Sequence, residues 1–187
     1  MPGLNRISDQ NISIEIRKTP FTCMRCGACC REIEPGSNLV LVSPAEVRVI
    51  MAATSLTFDE IAEPYPDFIH EGKRRYTLGW AIRRDGNRCK FLGEHGCLIY
   101  QSRPWICRTY PFMIDNENLM VSPCSGIGTG TDVMDPEIVN RFVQDLIDRQ
   151  QAEKAEEEHI AEVLTREQIP AGKLVVIDGE GMRIMNG

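Results

Sequence analysis

The apolar positions of this chain change spacing several times, and each change marks an element. Ile12-Ser13-Ile14-Glu15-Ile16 alternates, which predicts a short strand near the start. Leu39-Val40-Leu41-Val42 is a short unbroken apolar run and reads as a buried strand. Ser43-Pro44-Ala45-Glu46 then has the marks of a helix start: a hydroxyl at the cap, proline in the first turn, and a glutamate placed to complete a capping box. Thr57 and Glu60 repeat the box and open a second, short helix. Pro64-Tyr65-Pro66 ends it, because a residue before proline is pushed out of the helical region. Residues 76–92 predict a hairpin turning at Asp85-Gly86, and residues 112–121 a second one around Asp115-Asn116-Glu117-Asn118. Asp135-Pro136-Glu137 caps a long helix whose apolar stripe, Ile138, Val139, Phe142, Val143, Leu146 and Ile147, has helical spacing. From Glu153 to Glu158 the side chains are mostly charged, so the helix is expected to project or fray there as a solvated face. Pro170 closes that region, and residues 173–185 read as a terminal hairpin turning at Asp178-Gly179-Glu180-Gly181. There is no internal repeat and no linker long enough to separate two domains.

Composition narrows the class. Hydrophobic residues make up 42% of the 187 positions and charged residues 26%, a balance that folds instead of staying disordered. Lys and Arg number 21 against 27 Asp and Glu, and the formal net charge of −6 argues against a nucleic-acid partner bound by phosphate neutralisation. No run approaches the ~18 apolar residues of a membrane span. Met1-Pro2-Gly3-Leu4-Asn5-Arg6 shows no apolar core of a signal peptide. A cytoplasmic protein with no nucleic-acid or membrane partner is expected.

Eight cysteines change the picture. In a reducing compartment structural disulfides are rare, and dense thiols bind metals or do redox chemistry. Cys23, Cys26 and Cys29 follow one another at two-residue gaps and Cys30 adjoins Cys29, a poor disulfide framework but a set well placed to converge on one small object. Gly27-Ala28 lets the backbone approach a bound group closely. Cys23-x-x-Cys26-x-x-Cys29 resembles the run that wraps a 4Fe–4S cluster in bacterial-type ferredoxins, without that motif's closing Cys-Pro. Cys30 or a remote thiol must complete such a site, and Cys89, Cys97, Cys107 and Cys124 are the remote candidates. Eight thiols allow two four-ligand sites, or one site with spare or redox-active thiols. Zinc is the alternative cofactor, since thiolates suit both metals. Structural zinc sites usually show two CxxC-type knuckles, however, and the later cysteines are separated by seven, nine and sixteen residues. That favours a 4Fe–4S cluster held chiefly by Cys23, Cys26 and Cys29 with a distant cysteine. Arg25, Arg31, Arg88, Lys90 and Arg108 each adjoin a cysteine, and no Asp or Glu does. Cations so placed lower thiol pKa and stabilise a negatively charged thiolate centre of either metal.

Cys23-Met24-Arg25-Cys26-Gly27-Ala28-Cys29-Cys30 resembles the CxxCxxCC signature of the YkgJ-like cysteine-cluster family, described as zinc- or iron-chelating domains. Gly96-Cys97-Leu98-Ile99-Tyr100 with Arg103-Pro104-Trp105-Ile106-Cys107-Arg108-Thr109-Tyr110-Pro111-Phe112 resembles the family's second signature, and Cys124-Ser125-Gly126-Ile127-Gly128-Thr129-Gly130 its closing cysteine–glycine loop. The resemblance covers about residues 21–130. It implies a metal centre with no common reaction, and a related domain in flagellin lysine N-methylases implies that an enzymatic role is open.

Gly126-x-Gly128-x-Gly130 is not a dinucleotide fingerprint: the third glycine falls one position early, Thr131 stands where it belongs, and no strand precedes the loop. A loop whose bare amides approach metal sulfurs near Cys124 is expected instead. Arg103, Arg108 and Tyr110 either bind an anion beside the centre or hold the segment Pro104–Pro111 through bonds to backbone carbonyls. His95 is a minor ligand candidate, and His70 and His159 have no partner pattern. Trp80 and Trp105 are expected in the core. No catalytic triad order, paired-carboxylate motif or phosphate loop stands out. The resulting expectation is a small α+β, cysteine-rich, metal-centred fold with short strands and hairpins and a long C-terminal helix. Residues 1–130 would form the metal-binding domain, and residues 131–187 would pack on it as part of a single structural unit. Its function would be that of a 4Fe–4S redox or accessory protein with a redox or client protein as partner. The alternatives are a zinc protein, structural or metal-carrying, and a cluster-dependent enzyme of the protein-modifying type. Oligomeric state is not determined by any of these features.

Overall fold

A computed structural model describes residues 9–32, 37–115, 118–129 and 133–185. In chain order its elements are α1 (Asp9–Arg17), a 3₁₀ turn (Ala28–Cys30), β1 (Leu41–Val42), α2 (Pro44–Thr54), α3 (Phe58–Ile61), β2 (Ala62–Pro64), β3 (Ile69–Glu71), β4 (Arg74–Leu78), β5 (Trp80–Ile82), β6 (Arg84–Asp85), β7 (Arg88–Cys89), β8 (Leu92–Gly93), β9 (Gly96–Cys97), a second 3₁₀ turn (Tyr100–Ser102), α4 (Trp105–Thr109), β10 (Phe112–Asp115), β11 (Asn118–Val121), α5 (Pro136–Arg166), β12 (Leu174–Asp178) and β13 (Gly181–Met185). The fold is α+β, with short strands and one long helix near the C-terminus. Two compact units are each assembled from two chain segments: Met1–Ala28 with Trp105–Gln151, and Cys29–Pro104 with Ala152–Gly187.

The core of the first unit holds Ile12, Ile16, Phe112, Met134, Val139, Val143 and Leu146, with the Phe21, Phe112 and Phe142 rings meeting edge-on at 5.1–6.0 Å. The alternating isoleucines near the start form a helix, not the expected strand. Ile12 and Ile16, four residues apart, are buried while Ile14 between them is 50% exposed. Packing beside Val139, Val143 and Leu146 selects the helical face over the alternation, at roughly 1.5–3 kcal/mol per buried side chain. The expected hairpin at 112–121 is present as β10 and β11, with Phe112 opposite Val121; its tip at Asn116-Glu117 lies outside the described residues.

In the second unit β13-β12-β4-β3 form a four-stranded sheet and β1-β5-β2 a three-stranded one. All neighbours are antiparallel except β12 and β4, which run parallel with Val175 opposite Tyr76. Both capping boxes form: Ser43 N–H donates to Glu46 Oε2 at 2.9 Å, and Thr57 N–H to Glu60 Oε2 at 2.8 Å. The α3 helix stops at Ile61 because the chain passes directly into β2, before the prolines act. The expected hairpin over 76–92 is broken at Gly79, whose φ of 84° turns the chain out of β4 into a different sheet. Only its tip survives, as β6 and β7 around Gly86-Asn87.

The α5 helix does not fray at its charged stretch; it runs unbroken for 31 residues. Ile160 and Val163 pack on the core around Tyr76, Ile169, Val175 and Ile177, and Lys154–Glu158 and Glu162–Arg166 pair along the helix at 3.8 and 3.6 Å. Nor is that stretch only a solvated face, since Glu156 Oε1 accepts the Gly179 N–H at 2.8 Å in the turn of the terminal hairpin. Burial, then the charges of Asp178, Glu180 and Glu46, raise the Glu156 pKa above the usual carboxylate value, with the Gly179 N–H opposing. Among the described residues no helix is long and apolar enough to cross a membrane.

Trp80 joins the two sheets of this unit. Its fully buried indole packs edge-on against Phe58, and Nε1–H donates to the buried Asp178 Oδ2 at 2.7 Å. Trp80→Phe removes the donor and leaves a buried carboxylate oxygen without it, so unfolding stability in urea should fall by about 1–3 kcal/mol.

Candidate metal centre

None of the eight cysteines is in a disulfide. Cys23, Cys26, Cys107 and Cys124 belong to the first unit, and Cys29, Cys30, Cys89 and Cys97 to the second.

In the first unit, residues 22–27 have no regular structure and depend on outside partners. Phe21 forms an antiparallel bridge with Ile127. Thr22 N–H donates to Gly126 O at 3.1 Å and Gly128 N–H to Pro20 O at 2.8 Å, which lays the start of the cysteine loop along residues 124–128. Cys26 Sγ lies 3.6 Å from Ser125 Oγ, and Gly126 N–H donates to Cys124 Sγ at 3.4 Å. Cys107 sits on α4, and Tyr110 just beyond that helix donates its hydroxyl to Pro123 O at 2.5 Å, tying the turn of Cys107 to the residue before Cys124. Arg25 and Gly27 have φ of 54° and 73°. Glycine tolerates this readily, whereas a non-glycine residue in the left-handed region is uncommon and such positions cluster at functional sites.

In the second unit the 3₁₀ turn brings Cys29 Sγ and Cys30 Sγ to 3.9 Å. Arg31 bridges Arg88 and Glu32 N–H donates to Asn87 O at 2.7 Å, so Cys30-Arg31 runs beside Arg88-Cys89. Arg84 stands opposite Cys89 in one hairpin and Leu92 opposite Cys97 in the next. Phe91 connects the two: its N–H donates to the Cys89 sulfur and its carbonyl accepts the Leu98 N–H at 2.9 Å. Burial, then the charges of Cys97 and Cys29, raise the Cys89 pKa against the opposing Phe91 N–H and Arg84. Cys29 is raised too, first by its hydrogen bond with Cys30, then by desolvation and the Cys30 charge, while Arg103 opposes. Cys29 and Cys89 therefore resist ionisation, a cost that a bound cation relieves.

Arg103 Nε donates to Tyr100 O at 2.8 Å and its guanidinium lies 3.6 Å from the centre of the Tyr100 ring; Arg108 lies 4.7 Å from the Trp105 ring. Arg103 and Tyr110 thus each donate to a backbone carbonyl, Tyr100 O and Pro123 O. Two cysteine-adjacent cations reach away to carbonyls, Arg88 to Leu92 O at 2.8 Å and Lys90 to Glu60 O. Arg84, five residues before Cys89, and Arg103, 74 residues beyond Cys29, are cations that oppose the raised pKa of those two thiols. Arg84 is set across from Cys89 by a turn at Gly86-Asn87, one residue beyond the expected Asp85-Gly86, so the sequence located the turn but not this pairing; Ser125 and the Phe91 amide carried no sequence signal. Trp105 is half-buried, not core, because it lies on the short α4 with Arg108 over its ring. His95 is exposed in the turn between β8 and β9. The Gly126 amide approaches a cysteine sulfur as expected, and Gly130 lies outside the described residues.

A family model described as “Putative zinc- or iron-chelating domain”, CxxCxxCC, matches residues 22–125. The chain belongs to the CxxCxxCC family. The matched span includes all eight cysteines, and membership supports metal binding, of iron or zinc. The uncharacterized protein MJ0661 of Methanocaldococcus jannaschii is 27% identical over 100 residues, 52% of this chain and 48% of that protein, so the match spans about half of the relative. No solved structure matches.

The donors suit such a metal: they are all thiols, and amide N–H groups are already aimed at Cys89 and Cys124. Among the described residues no three Cys, His, Asp or Glu side chains are gathered closely enough to hold a single ion. Gly126→Ala tests the loop of this CxxCxxCC domain. A Cβ there would overlap the Thr22 carbonyl oxygen and press on the Phe21 ring, pushing the paired segments apart. Metal affinity measured by chelator competition should fall about 10- to 100-fold. A second expectation concerns protons. Cys29 and Cys89 are held above the ordinary thiol value of 9.0, so both are protonated at neutral pH in the metal-free chain and must ionise to bind. Adding zinc at pH ~7 in weak buffer should release protons to an indicator dye, and affinity should rise with pH. The same raised values favour the folded metal-free chain below the ordinary thiol pKa, and that contribution should fade as pH rises past it.

Proposed function

We propose that this protein carries 4Fe–4S clusters on its cysteine thiolates and acts as a redox or accessory protein for a protein partner, in the cytoplasm. The observation that carries this reading is an all-thiol donor set: eight cysteines outside any disulfide, with the signature loop laid along the later cysteine segments by the Phe21–Ile127 and Arg31–Arg88 bridges. Amide N–H groups directed at Cys89 and Cys124 support the same reading, because hydrogen bonds to the sulfurs are one of the ways a protein sets a cluster's potential.

Zinc is the second reading, and one distance favours it. Four thiolates about 2.3 Å from a tetrahedral zinc lie roughly 3.8 Å from one another, and Cys29 and Cys30 stand at 3.9 Å. Anaerobic purification followed by metal and acid-labile sulfide analysis separates the two. Iron and sulfide in equal amounts, about four of each per cube, with absorbance that bleaches reversibly on reduction, is the expected result. Zinc without sulfide would overturn the iron–sulfur reading, and a cluster that cannot be reduced would remove the redox role.

A further inference from the structure

We propose that the eight cysteines make two separate four-thiolate centres, one of Cys23, Cys26, Cys107 and Cys124 and one of Cys29, Cys30, Cys89 and Cys97. The signature run is thus divided between Cys26 and Cys29, and does not wrap one cluster with Cys23, Cys26 and Cys29 together. This deepens the metal-binding reading and rests on it, for either metal.

Three observations lead to the division. The boundary between the compact units falls between Ala28 and Cys29, so each unit receives two thiols from the signature and two from later in the chain. Each pair of signature thiols is also anchored by backbone to its own later partners. The Phe21–Ile127 bridge and the Thr22-to-Gly126 bond serve Cys23 and Cys26, while the Arg31–Arg88 bridge and the Glu32-to-Asn87 bond serve Cys29 and Cys30. Finally, each set contains one cysteine whose sulfur accepts the N–H two residues on, Cys124 from Gly126 and Cys89 from Phe91. A knuckle of that kind fixes the sulfur's direction and stabilises the thiolate. Four thiolates complete a tetrahedral zinc or cap the four irons of a cube, so the division leaves no thiol over and needs no histidine.

The test uses the full chain loaded with cadmium, a probe for thiolate sites. Cadmium NMR that correlates each metal resonance with the β-protons of its cysteines should show two resonances, each coupled to one of the two sets. A resonance shared by Cys23, Cys26 and Cys29, or a wild-type chain that takes up a single equivalent, would overturn the division. In parallel, Cys124→Ser and Cys97→Ser should each halve the metal bound and together abolish it, whereas Cys124→Ser with Cys26→Ser should lose no more than either alone. The cadmium result is read on wild-type protein and does not depend on the variants folding. The two readings fail independently: zinc without sulfide removes the cluster but leaves the division intact, whereas iron with sulfide on one mixed set does the reverse.

Discussion

The cysteine loop has almost no hydrogen-bond ladder of its own, and everything proposed for this protein depends on what holds that loop at its two ends. On one side Phe21 is bridged to Ile127, and on the other Arg31 is bridged to Arg88. Between them lie six cysteine-loop residues, 22–27, without regular structure and one 3₁₀ turn. Backbone pairing costs no side chains, so it leaves the thiols unspent. It also demands close approach, which is why a glycine stands at 126, where any Cβ would strike the Thr22 carbonyl.

Two hydrophobic cores make those anchors rigid. Phe21 packs into the cluster of Phe112 and Phe142 one residue before its chain enters the loop, so the bridge to Ile127 starts from a buried side chain. In the other unit, Trp80 and Asp178 hold the two sheets together, and Arg83 and Lys90 continue the pairing through the Lys90 N–H bond to Arg83 O at 3.0 Å up to Cys89. Order beside the cysteine loop is thus drawn from packed clusters that contain no cysteine.

Electrostatics supplies the complementary constraint. Cys29 and Cys89 are held protonated by their neighbours and by desolvation, although Arg103, Arg84 and the Phe91 amide pull the other way. Thiols held protonated in this way must give up their protons to a metal, so metal affinity is linked to pH. Protein groups that direct N–H bonds at sulfur reduce this conflict without removing it, and the metal completes what the backbone begins.

Local signals were legible because their causes are local. The capping boxes at Ser43 and Thr57, the Asp135 start of α5, and the hairpins at 112–121 and 174–185 follow from side chain to backbone bonds or turn chemistry within a few residues. The cysteine spacing and its two companion signatures likewise sufficed for the CxxCxxCC family and hence for metal binding. Where tertiary packing competes with a local pattern, the pattern loses. The alternating isoleucines became α1 because only Ile12 and Ile16 find a core, and the hairpin at 76–92 was cut at Gly79 because β4 pairs with the distant β12 instead. The sequence by itself determined which atoms can bind a metal, since that is a property of residue type and spacing. Only the tertiary structure decided which cysteine-bearing segments run side by side, because that follows from backbone bridges between positions some sixty to a hundred residues apart, Arg31 to Arg88 and Phe21 to Ile127, and such pairings leave no mark on local spacing.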